Sequence, residues 1–175
     1  ERSFDDYRLQ LLLPQKQSEK GKALAVADVN NDGRDDFFVG NGKGAVASLY
    51  IQQDNKQFRP SSNIVFRKDS EYEDTEALFF DMDNDGDQDL YVTSGSYEDA
   101  KNSALLQDRI YENDGKGNFT KRNILPDIKA VSSTVAVSDI DNDGDLDLFI
   151  GGGVKPGEYP LSSPSYFLIN DSGKF

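Results

Sequence analysis

The sequence predicts an all-β fold of consecutive four-stranded sheets arranged as β-propeller blades. Three observations predict it. An aspartate-rich segment occurs three times, at Asp28–Asp36, Asp81–Asp89 and Asp139–Asp147. Short apolar runs flank every copy. Downstream of each copy, a further apolar run enters a polar turn that leads to a Phe. The copies begin 53 and 58 residues apart, near the length of a four-stranded blade.

Each unit reads in order as strand, aspartate loop, strand, connection, strand, tight turn, strand. The first strands are Ala23–Ala27, Ala77–Phe80 and Val135–Val137. The second strands are Phe37–Val39, Leu90–Val92 and Leu148–Ile150. These runs are short, β-branched or aromatic, and bounded by Gly and Asp, which argues for strands. The second of each pair is expected to be buried on both faces, as stacked sheets require. The third-strand hairpins run over Leu49–Phe58, Ile110–Phe119 and Phe167–Phe175. Asn113-Asp114-Gly115 is a favourable turn because Asn and Gly tolerate positive φ.

Residues 23–67 form the first blade, 76–125 the second and 134–175 a third, which stops where its fourth strand should begin. Residues 1–14 are expected to be a lone outer strand, with Leu9, Leu11 and Leu13 on alternate positions. The chain opens on Glu1 rather than Met. The expectation is therefore a piece of a longer propeller, or a last blade completed by the N-terminal strand of this or another copy.

Composition narrows the function. A formal net charge of −13 disfavours nucleic acid and anionic membrane surfaces as partners. No apolar run approaches the length of a membrane span. Cysteine and histidine are both absent. That removes thiolate and imidazole metal sites and the Ser/His and Cys/His nucleophile pairs.

The repeated loop suits a hard divalent cation. Calcium takes six to eight oxygens at about 2.3–2.6 Å, and alternate positions of a tight loop can present them. Positions 1, 3, 5 and 9 supply side-chain oxygens: Asp28, Asn30, Asp32 and Asp36; Asp81, Asp83, Asp85 and Asp89; Asp139, Asp141, Asp143 and Asp147. Position 7 supplies a backbone carbonyl, from Arg34, Asp87 and Asp145. Gly at position 6 permits the bend. Oxygen-only ligation favours calcium over zinc or copper. Three Ca²⁺ would bring the formal charge from −13 to −7. The loop is not an EF-hand, since position 12 is Val39, Val92 or Ile150 instead of Glu; the strands on either side also argue against a dockerin. The plain alternative is a set of solvated turns, but aspartates crowded without a cation would repel one another.

On these residues the chain resembles the FG-GAP/VCBS repeat family, the integrin-α-like β-propellers. Their pattern of apolar strand, Asp-x-Asp-x-Asp-Gly-x-x-Asp and apolar strand is met in all three units. Pro156-Gly157-Glu158-Tyr159-Pro160, with Ser165 and Asn170, is also similar to bacterial relatives that pair such repeats with an ASPIC/UnbV segment, which this sequence lacks. The resemblance implies extracytoplasmic propellers, commonly of seven blades, with Ca²⁺ in the blade loops. Asn30 in place of Asp, together with the positive charge of Arg34, makes the first loop the weakest expected site.

Two functions follow. The leading one is a secreted, cell-surface or periplasmic module for adhesion or for binding a protein or glycan, and not an enzyme. Tyr97, Glu98, Lys155, Glu158 and Tyr159 in the two long connections are its candidate contacts, unless they merely cover neighbouring blades. The alternative is the propeller of a calcium-dependent polysaccharide lyase, with Tyr97 or Tyr159 near Lys155 as base.

Overall fold

The computed structural model describes residues 4–18, 23–99 and 101–175. Its strands form three antiparallel sheets of four, four and three strands, each running up and down in sequence order. Sheet 1 contains β1 (Leu24–Ala27), β2 (Asp36–Val39), β3 (Ser48–Gln52) and β4 (Phe58–Pro60). Sheet 2 contains β5 (Asp74–Phe80), β6 (Asp89–Ser94), β7 (Arg109–Glu112) and β8 (Thr120–Arg122). Sheet 3 contains β9 (Ser132–Ser138), β10 (Asp147–Gly152) and β11 (Tyr166–Leu168).

The side-chain period of two divides each sheet between its neighbours. Leu90, Val92 and Tyr111 of sheet 2 pack with Ala25, Phe38 and Leu49 of sheet 1 and with Ala23 just before β1. Tyr91 and Ile110, on the opposite face, pack with Val135, Leu148, Ile150 and Leu168 of sheet 3. All six residues of β6 are therefore buried. The expectation of two-sided burial holds in full only there. In β2, Phe37 and Val39 are half-buried, because sheet 1 has one neighbouring sheet.

The outward faces of sheets 1 and 3 remain apolar. Leu24 and Val26 are 61% and 58% exposed, and Phe167 is 60% exposed. The register equivalents of Leu24 and Val26 in sheet 2, Ala77 and Phe79, are buried at an inter-sheet contact.

Residues 4–14 correct one expectation. They do not form an outer strand; Asp6–Leu9 is a helical turn capped by Asp5, whose carboxylate accepts from Tyr7 N at 3.2 Å. The Asp5-Asp6 pair is a helix-start signal, and it outweighs the leucine alternation. Asp6 is wholly buried and accepts hydrogen bonds from the backbone N–H groups of Gln17 and Ser18. Leu13 is buried, but Leu11 and Leu12 are exposed.

Candidate metal centres

The three aspartate loops join first to second strands: β1 to β2, β5 to β6 and β9 to β10. Position 9 of every loop is the first residue of its second strand, so Asp36, Asp89 and Asp147 are fixed by the ladder. All three are 0–1% exposed.

Backbone geometry repeats from loop to loop. Position 4 has positive φ in each, at 57° for Asn31, 61° for Asn84 and 62° for Asn142. Position 6 does as well, at 82°, 92° and 99° for Gly33, Gly86 and Gly144. Asn is among the few side chains that tolerate this region. Position 1 closes the bend: Asp28, Asp81 and Asp139 accept from the N–H of Gly33, Gly86 and Gly144 at 2.6, 3.0 and 3.2 Å.

The carboxylates of Asp81, Asp83 and Asp89 converge, with one oxygen of each within 4.8 Å of the others. Asp139, Asp141 and Asp147 do the same. In the first loop Asn30 stands at the middle position, leaving Asp28 and Asp36 as its only carboxylates at positions 1, 3 and 9. Asp32 is held by Arg34, whose guanidinium donates to it at 2.6 Å.

Position 5 lies outside both converged groups. Asp85 and Asp143 instead accept from the N–H of position 7, at 3.0 and 2.9 Å. The position 7 side chain of the third loop is engaged elsewhere. Asp145 accepts from Asn84 Nδ2 at 2.6 Å and from Ser172 N at 2.7 Å, tying sheet 2 to sheet 3.

The electrostatics fit a cation. Burial pushes Asp89 up to about 7, and the charges of Asp87 and Asp83 add to it against the opposing hydrogen bonds from Asn113 and Met82. Burial pushes Asp87 up to about 6, followed by the charges of Asp85, Asp83 and Asp81. Asp36, Asp83 and Asp141 are raised by desolvation and then by neighbouring carboxylates. Asp81 Oδ1 is buried without a hydrogen-bond partner, as suits an oxygen facing a cation. A bound divalent ion would reverse this balance.

Asn113 and Asn170 have a role that turn chemistry did not signal. They are 4% and 0% exposed. Each donates its backbone N–H to a position-9 carboxylate at 2.8 Å, Asn113 to Asp89 and Asn170 to Asp147. Both follow a third strand by one or two residues, so their shared register was visible in the sequence. Their side-chain partners on another sheet were not.

The long connections lie at the other end of the sheets. Tyr97 is 5% exposed and donates its hydroxyl to Gln10 Oε1 at 3.0 Å. Gln10 Oε1 also accepts from Tyr159 N at 3.0 Å. Glu158 pairs with Lys101. Tyr97 thus covers its neighbours rather than offering a contact surface. Glu98, Lys155, Glu158 and Tyr159 remain half-buried.

Meander sheets that each carry a matching acidic turn between their first two strands define a repeat protein of the propeller-blade class. The chain belongs to the FG-GAP-like repeat family, whose model matches residues 28–92 and again 81–150. A comparison with curated proteins finds no match. The family assignment implies a β-propeller-like module. No helix among the described residues is long and apolar enough to cross a membrane.

Proposed function

We propose that the chain is a calcium-binding, extracytoplasmic propeller module for adhesion or for binding a protein or glycan, with structural Ca²⁺ in its blade loops. The convergence of the Asp81, Asp83 and Asp89 carboxylates, together with a buried Asp81 Oδ1 that lacks a hydrogen-bond partner, carries this reading. The second group, at Asp139, Asp141 and Asp147, repeats it.

The ions would screen carboxylates that otherwise repel, and so hold the turn between the first two strands. Asp85, Asp143 and the carbonyls of Arg34, Asp87 and Asp145 would complete the shells. An ion that binds only the folded state stabilises it by about 2.7 kcal/mol at a hundredfold excess over Kd. The extracytoplasmic assignment rests on the FG-GAP-like repeats, which are typical of extracellular proteins; such modules bind Ca²⁺ with Kd on the order of 10⁻⁴–10⁻³ M. The apolar outer faces of sheets 1 and 3 are read as packing surfaces for another blade of the same repeat type.

The lyase alternative gains no support from Tyr97, whose hydroxyl is already bonded to Gln10. A role without catalysis is the reading we adopt. Native mass spectrometry in Ca²⁺ should count up to three ions, and Asp81→Ala and Asp139→Ala should each remove one. A melting temperature unmoved by chelator or added Ca²⁺ would defeat the reading. Glycan-array binding and assay for unsaturated products from acidic polysaccharides separate adhesion from lyase activity.

A further inference from the structure

Resting on the cation reading above, we infer that Asn113 and Asn170 couple neighbouring cation loops, so that filling one loop tightens binding at the next. A continuous hydrogen-bonded path motivates this. Asp36 of the first loop accepts from Val29 N at 3.2 Å. The carbonyl of Val29 accepts from Asn113 Nδ2 at 2.8 Å. Asn113 N then donates to Asp89 of the second loop, which also accepts from Met82 N at 3.0 Å. The Met82 carbonyl accepts from Asn170 Nδ2 at 2.7 Å. Asn170 N donates to Asp147 of the third loop. The path thus links all three position-9 carboxylates.

The two asparagines are fully committed. Beyond reaching the preceding sheet, Nδ2 of Asn113 donates to Gln88 O at 3.1 Å, and that of Asn170 to Leu146 O at 3.2 Å. Both of these carbonyls belong to position 8 of the local loop. Oδ1 of Asn113 accepts from Gly117 N at 3.1 Å, and that of Asn170 from Gly173 N at 2.9 Å. One buried amide therefore fixes its own turn, its own cation loop and the loop of the preceding sheet.

Val29 and Met82 occupy position 2, between the first two ligand positions. A cation that orders the second loop holds both the Met82 carbonyl and the Asp89 carboxylate. The next cation then pays less of the shared ordering entropy, which is positive coupling. Asn113 and Asn170 are positioning residues; neither would touch an ion.

The test is hydrogen–deuterium exchange of the intact 175-residue chain during a Ca²⁺ titration. It reads the Ca²⁺ concentration that half-protects residues 81–89. Asp139→Ala should raise that concentration about fivefold or more, although residue 139 lies in another loop. In an Asn170→Ala background, Asp139→Ala should add little, a non-additivity that defines coupling. Additive effects, or an unmoved midpoint in Asp139→Ala, would overturn the coupling while leaving the cation reading intact. Absence of Ca²⁺-dependent protection in the unmodified chain would instead overturn the cation reading, and the coupling with it. If Asn170→Ala does not fold, Asp139→Ala alone still decides: a raised midpoint supports the coupling and an unmoved one overturns it.

Discussion

Arg109 on β7 is ion-paired with Asp74 at the start of β5, across the intervening β6, with side chains 2% and 0% exposed. The other oxygen of Asp74 accepts from Asn41 N at 2.8 Å, so the pair anchors sheet 1 as well. The guanidinium also lies 4.2 Å from the centre of the Tyr72 ring. Arg109→Met should destabilise the fold by about 3–5 kcal/mol, because it strands a buried carboxylate. Adding Asp74→Asn should recover part of the loss, since Asn can still accept from Asn41. Urea midpoints measure both variants, and equal midpoints for the single and double variants would contradict the account.

Packing differs sharply between the middle and the outside. Leu90→Ala, at a wholly buried residue, should cost about 2–5 kcal/mol. Phe167→Ala, on the outer face of sheet 3, should cost well under half of that in the isolated chain. Its ring loses mainly the contact with Phe149, centroids 5.2 Å apart. Thermal denaturation of the two variants side by side provides the comparison.

Ion-free protein should lose stability as pH rises from about 4 to 7. Asp89 titrates near 7 and Asp87 near 6, against an ordinary value of 3.8. Burial likewise raises Asp108, to about 6. In this window the native state binds more protons than the unfolded chain, so unfolding becomes easier with rising pH. The contribution is fully present below the unfolded value and is gone above the folded one. Asp6 is lowered, so its opposing effect falls below pH 4. In excess Ca²⁺ the order should reverse, because protons then compete with the ion. Melting temperatures at pH 5 and 7.5, with chelator and with Ca²⁺, read both signs.

The first loop offers a gain-of-function test. Asn30→Asp supplies the carboxylate that Asp83 and Asp141 provide in the other loops. Its Ca²⁺ affinity should rise severalfold, and Arg34→Ala should add to this by freeing Asp32. Calorimetric titration in which the first-loop affinity is unchanged by Asn30→Asp would count against ligation at position 3.

The sequence by itself carried the repeat, the strand order and the loops. Each of these is a local signal: period-two apolar runs, Gly at a bend and carboxylates at alternate positions. It also showed that loop 1 lacks one carboxylate. Over residues 4–14 alternating leucines mimic a strand; the Asp5 cap on Tyr7 N is a local signal that competes with them, while the burial of Asp6 depends on residues 17 and 18. Tertiary structure alone decided that Tyr97 is covered by Gln10, that only positions 1, 3 and 9 converge within 4.8 Å in the second and third loops, and that Asn113 and Asn170 bind carbonyls more than eighty residues earlier. Local spacing fixes what a segment can become. Partners brought together by stacking are set by the packing of whole sheets, which short-range pattern does not encode.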